Sequence, residues 1–173
     1  MVKYYNSNCN KESIMVGMET GGEQTPEEVL ITGGAGQIAY QLAPLVASGQ
    51  TLGDKRVNIR LLEIPDAMKR AEGVAEELQD GAYPYLAHVD VFDSPKEAYA
   101  GATHVFEVGA MPRKEGMERA DLLEKNAGIF REHGEALEEA DNYVKVVVVG
   151  NPANSNALVM SAHDRRKSRT IPR

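Results

Sequence analysis

Residues Val29 to Tyr40 read Val-Leu-Ile-Thr-Gly-Gly-Ala-Gly-Gln-Ile-Ala-Tyr, a strand-like apolar run that enters a glycine-rich turn and leaves it on helical spacing. Glycine lets the backbone turn sharply and approach a ligand. The first N–H groups of the following helix lack intrahelical acceptors, so such a turn favours a phosphate without any cationic side chain. The pattern is G-x-x-G-x-x-A at Gly33, Gly36 and Ala39, a variant of the dinucleotide fingerprint in which the small Ala39 permits close helix–strand packing. It predicts the first βα turn of an α/β nucleotide-binding domain. A glycine turn that binds nothing is the plain alternative, and the strand–turn–helix order counts against it.

The segment Gln37 to Ser48 places Ile38, Leu42, Leu45 and Val46 on one face and predicts a helix, kinked or weakened at Pro44. Val57 to Glu63 predicts the second strand. In a βαβ dinucleotide fold an acid at that strand end accepts hydrogen bonds from the adenosine ribose and repels a 2′-phosphate. Glu63 lies 27 residues after Gly36, beyond the usual ~20, and the loop around Gly49 and Gly53 accounts for the excess. Its alternative is a solvated carboxylate. Ala67 to Asp80 reads as an amphipathic helix with Met68, Ala71, Ala75 and Leu78 on one face.

Leu86 to Phe92 and Thr103 to Gly109 predict the third and fourth strands, with a short helix over Ser94 to Ala100. Glu107 stands in an apolar run that should be buried on both faces of a parallel sheet, and no function is assigned to it. His88 and His104 read as strand histidines, and no metal site is expected because neither has partners at ligand spacing.

Next comes Met111-Pro112-Arg113-Lys114-Glu115-Gly116-Met117-Glu118-Arg119, a loop by its Pro112 and Gly116, followed by a helix from Ala120 to about Glu139. Arg113 and Arg119 sit beyond the carboxyl end of the fourth strand, where ligands of open α/β sheets bind. A guanidinium holds a carboxylate bidentately, so two on one loop suggest a small dicarboxylate; a charged surface loop is the alternative.

Val144 to Gly150 is the clearest strand and suits the middle of a parallel sheet. It ends in Asn151-Pro152-Ala153-Asn154, a turn opening a short apolar helix through Leu158 to Met160. From Ala162 the net charge is about +4 against −7 for the whole chain, which predicts a disordered basic tail over 162–173. Residues 1–26 are polar and without periodicity and read as a flexible extension, leaving 27–161 as the dinucleotide-binding domain.

A net charge of −7 argues against a nucleic-acid partner. The single cysteine, Cys9, rules out an internal disulfide framework and suits a reducing compartment. No apolar run approaches the roughly 18 residues of a membrane span. A cytoplasmic location without a membrane partner is the expectation.

From Val29 to about Met160 the chain resembles the N-terminal half of cytosolic-type malate dehydrogenases, in the lactate/malate dehydrogenase family. The likeness rests on residues 33–40, on Glu76-Glu77-Leu78-Gln79-Asp80, on the loop 111–119 and on Val149-Gly150-Asn151-Pro152-Ala153-Asn154. It implies a Rossmann-type doubly wound parallel sheet of five strands, NAD as cofactor, and hydride transfer between malate and oxaloacetate by a homodimer. It also implies roles for particular residues. Gly33, Gly36 and the backbone of Gln37 and Ile38 would hold the pyrophosphate, and Glu63 the ribose in place of the more usual aspartate. Asn126, Val149, Gly150 and Asn151 would line the cofactor. Arg113 and Arg119 would clamp the substrate carboxylates with Asn151, and Arg113 favours malate because lactate enzymes typically carry a neutral residue there. Asn126 and His133 would fall where the helix after the loop faces the nicotinamide end, with His133 replacing a family glutamine.

The family's catalytic histidine, its partner aspartate and a further substrate arginine belong to a second half, so no catalytic residue is assigned here; His163 and Asp164 match no catalytic motif. The change of character after His163 suggests a truncation or frame change of a longer gene. A sixth strand would then be missing, leaving Val144 to Gly150 as an apolar edge prone to self-association. Two other readings remain. A short-chain reductase or epimerase has a similar turn but needs Tyr-x-x-x-Lys, which none of the seven tyrosines begins. A non-catalytic NAD-binding or subunit-association module is the other.

Overall fold

The computed structural model describes residues 25–113 and 115–168. The elements run β1 (Glu27–Thr32), α1 (Gln37–Ala47), β2 (Val57–Leu62), α2 (Met68–Asp80), β3 (Leu86–Phe92), α3 (Pro95–Tyr99), β4 (His104–Glu107), α4 (Arg119–Ala136), β5 (Lys145–Val148) and α5 (Ala153–His163). The strands form one parallel sheet in the order β3-β2-β1-β4-β5. The chain winds outward from β1 to β3, returns to the other side of β1 at β4 and winds outward again to β5. This is the doubly wound Rossmann-type topology, with its switch point between β1 and β4.

Alternation along the strands divides the core in two. Val29 and Ile31 of β1 join Val57, Ile59 and Leu61 of β2 beneath α1 and α2. Leu30 and Val105 face the other way and pack with Tyr99 of α3, Phe130 of α4 and Met160 of α5. Ala39 is fully buried, so its small side chain brings α1 close to the sheet as its position in the fingerprint predicts. The helix runs through Pro44 without a break.

The strand from Val144 stands where a missing sixth strand would leave it: β5 is an edge strand, and Val147 is 50% exposed. A run of valines states that a strand is apolar, whereas its place in the sheet depends on which strands pair beside it. One expectation changes: Ala162 is not a structural break, because α5 continues to His163. Arg166 then bonds both carboxylate oxygens of Asp164 and the carbonyl of Asp141. Residues 1–24 of the expected extension, with Cys9, and residues 169–173 of the expected tail lie outside the described residues. Among the described residues no helix is long and apolar enough to cross a membrane.

His104, at the start of β4, is nearly buried, with Glu27 3.5 Å away. Burial pushes its pKa below the ordinary histidine value; Glu27 opposes that shift, and Lys145 and Lys55 add to it. Below about pH 6.5 the unfolded chain takes up a proton that the folded chain resists, so stability falls with falling pH until the lowered pKa is reached. Thermal midpoints measured from pH 8 to 5.5 should decline, and His104→Gln should flatten part of that decline. An unchanged slope in the variant would contradict this origin.

Candidate functional site

The turn after β1 is fixed by β2, whose terminal Leu62 carbonyl accepts the N–H groups of Gly33 at 2.8 Å and Gly34 at 3.1 Å. Gly33 has φ +68°, and a Cβ there would lie 2.7 Å from the Cα of Gly109, just beyond β4. The ends of β1 and β4 therefore touch backbone to backbone. Gly36 closes the turn by donating to the Gly33 carbonyl at 2.8 Å and becomes the N-cap of α1. No side chain caps that helix, leaving the amides of Gln37 and Ile38 at its positive end, with both side chains exposed. Ala35, Gly36, Gln37, Tyr40 and Gln41 line an open hollow of about 440 Å³ beside them.

Glu63 lies one residue past β2 and folds over the same turn. One carboxylate oxygen accepts the Ala35 N–H at 3.2 Å and the other its neighbour Ile64 N–H at 2.8 Å. The acid is thus held at the rim of the hollow. The residues fit a dinucleotide: Gly36 brings bare backbone into the lining of the hollow, the helix end supplies amides, and the acid stands one strand over.

On the other side of the switch point the Glu107 carbonyl accepts the N–H groups of Val149 and Gly150, each at 2.9 Å, joining the ends of β4 and β5. A Cβ on Gly150 would stand 2.8 Å from that of Ala110. Asn151 follows, exposed, in a cis peptide with Pro152. Arg113 is exposed on the loop and donates from Nε to the Met117 carbonyl of the same loop at 3.0 Å. Arg119 is the exposed first residue of α4, after a capping box between Glu118 and Asp121. Neither guanidinium has an ion pair among the described residues.

Two side chains go elsewhere than the resemblance implied. Asn126 is fully buried; its Oδ1 accepts the Met111 N–H at 2.8 Å, and its Nδ2 donates to the carbonyls of Met111 and Leu122. It anchors the start of the arginine loop to α4, and its polar atoms are committed to the backbone of Met111 and Leu122. His133 points into the core, with Nδ1 2.8 Å from the Glu107 carboxylate. Glu107 is itself fully buried and also accepts the hydroxyls of Tyr99 and, at 3.3 Å, Thr32. Burial, with the neighbouring Glu107 charge and hydrogen bond, raises the Tyr99 pKa well above the ordinary tyrosine value and keeps it a donor. Sequence reading marked Glu107 as anomalous but missed Thr32 and Tyr99. The only signal was alternation, which puts Thr32 and Glu107 on the sheet face that α3 and α4 cover.

Residues 27–171 match the family model of the lactate/malate dehydrogenase NAD binding domain. A malate dehydrogenase of Cutibacterium acnes is 50% identical over 141 residues, which is 81% of this chain and 43% of that protein. The chain thus spans less than half the length of the relatives it matches. Among solved structures, malate dehydrogenase from Naegleria fowleri is 44% identical with a TM-score of 0.81, over 86% of this chain and 45% of that one. Trichomonas vaginalis lactate dehydrogenase in complex with NADH and oxamate is 43% identical with a TM-score of 0.77, over 81% and 43%.

Proposed function

The chain belongs to the lactate/malate dehydrogenase family and carries its NAD-binding domain, and on that premise we propose that it serves NAD-dependent interconversion of malate and oxaloacetate. Bound NAD supplies the hydride acceptor. The chain's own part is to bind and orient. The amides of Gln37 and Ile38 would face the pyrophosphate, where the helix end compensates its charge. Glu63 accepts the ribose hydroxyls with the carboxylate that now caps the turn. The ends of β4 and β5, with Asn151, form the wall beside the reacting carbon.

The observation that favours malate over lactate is the loop beyond β4, which offers two exposed guanidiniums, Arg113 and Arg119. A malate carboxylate at each end of a short carbon chain matches two planar forks, and lactate would leave one of them unmatched. Among the described residues Arg113 has only a loop carbonyl to exchange for a substrate carboxylate. The two arginines also give the chain a means to draw a dianion toward the switch point.

Calorimetry on the NADH-saturated chain tests this reading with oxaloacetate and pyruvate as paired ligands. Oxaloacetate should bind at least tenfold more tightly, and Arg113→Gln should erase most of that preference, a loss of about 1.5–3 kcal/mol for a charge-assisted pair. Equal affinity for the two acids, or an Arg113→Gln variant that still prefers oxaloacetate, would contradict the malate assignment.

A further inference from the structure

The Glu107 cluster joins four elements. Its carboxylate leaves β4, takes a hydroxyl from Thr32 at the end of β1 and another from Tyr99 at the end of α3, and meets the His133 imidazole of α4. His133 lies against the rings of Tyr99 and Phe130 at 5.7 and 5.9 Å between centroids. The Thr32 oxygen also accepts the Gly109 N–H at 3.0 Å. Every member is thus bonded, as a buried polar network must be to persist.

Stability alone does not call for such a group, since an apolar side chain at position 107 would fill the same space without desolvating a charge. What a carboxylate with three directed partners supplies is geometry. It ties the last residue of β1 to the last residue of β4 immediately below the point where Gly33 and Gly109 come into backbone contact. Across that seam a dinucleotide must pass, with its adenosine half toward β2 and its other half toward β4 and β5.

We propose that Glu107, held by His133, Tyr99 and Thr32, is a positioning residue that fixes the β1–β4 seam in the form that admits the nicotinamide half of NAD. The inference rests on the NAD reading above and adds a function for a group that touches no ligand. Its signature is a split between two probes. ADP occupies the turn and the Glu63 side, whereas NADH also has to cross the seam.

Calorimetry with ADP and with NADH on the full chain tests it. Thr32→Val keeps the side-chain shape but removes the hydroxyl between Glu107 and the Gly109 amide. It should weaken NADH about tenfold and leave ADP within threefold. Glu107→Leu should show the same split, more strongly, and Glu107→Gln, which keeps the shape and the acceptor oxygen, should bind NADH within threefold of the parent. NADH affinity unchanged in Thr32→Val and in folded Glu107→Leu would overturn the proposal. So would ADP and NADH weakening in step, which marks a loss of the whole site. A parent chain that binds neither probe would overturn the NAD reading itself and this inference with it.

Discussion

Gly33→Ala should destabilise the chain strongly and abolish NADH binding. Gly33 has φ +68°, and its missing Cβ is matched by the Gly109 Cα 2.7 Å from where it would stand. Backbone cannot swing away as a side-chain tip does. The left-handed conformation costs roughly 1–2 kcal/mol for an alanine, and the forced separation of β1 from β4 about 1–3 kcal/mol more. Urea denaturation should show that combined loss, and NADH binding should fall below detection because the turn and the seam open together. Gly53→Ala supplies the comparison. Its φ of +73° is equally left-handed, but none of the described residues lies within 4 Å of the added methyl, so only the conformational cost applies. Equal stability losses in the two variants would show that the close approach of Gly33 to Gly109 has no energetic weight.

The second large effect concerns which dinucleotide enters. Glu63 is held over the turn by the Ala35 and Ile64 amides, so its charge stands at a fixed place where the ribose is expected. A 2′-phosphate brought there meets a like charge. Two unit charges about 4 Å apart at a protein surface repel by up to ~4 kcal/mol, before salt screening reduces it. NADPH should therefore bind on the order of a hundredfold more weakly than NADH at low ionic strength. Glu63→Ala should strengthen NADPH and weaken NADH until the two lie within about tenfold. If the variant kept the full preference for NADH, Glu63 would be a turn cap and nothing more.

What could be read from the sequence was what is encoded over short stretches. The strand before Gly33, the helix after Gly36 and the acid at the end of β2 follow from local periodicity and from glycine's conformational freedom, and the turn lies where those features place it. The pairing of Glu107 with Thr32 and His133 escaped because they lie 75 and 26 residues from it. The pairing exists only once β1 lies beside β4 with α4 across them. Asn126 carried an expected cofactor role, yet its amide is consumed by the backbone at Met111, and no pattern of residue types announces such a bond. The valine run of β5 by itself says nothing about its neighbours, and its edge position was legible only through the family resemblance.

Arg113 and Arg119 illustrate a different boundary. Their residue type and spacing suggested a carboxylate clamp, and the fold sets both at the carboxyl end of β4, on the side of the sheet where the nucleotide turn also opens. A surface loop with two cations that have no ion pair among the described residues is useful at a switch point and unremarkable elsewhere. Position supplies the difference, and position came from the order in which the strands are wound.

The central claim is that NAD lies across the carboxyl ends of β1 and β4. Two-dimensional amide spectra of the isotopically labelled chain during a titration with NADH address it directly. Shifts should concentrate at the amides of Gly34 to Ile38, at Gly109 and Ala110, and at Val149 to Asn151. The loop from Gly49 to Lys55, at the opposite end of the strands, should stay unmoved. Shifts centred on that opposite loop, or a folded chain whose spectrum NADH leaves unchanged, would contradict it.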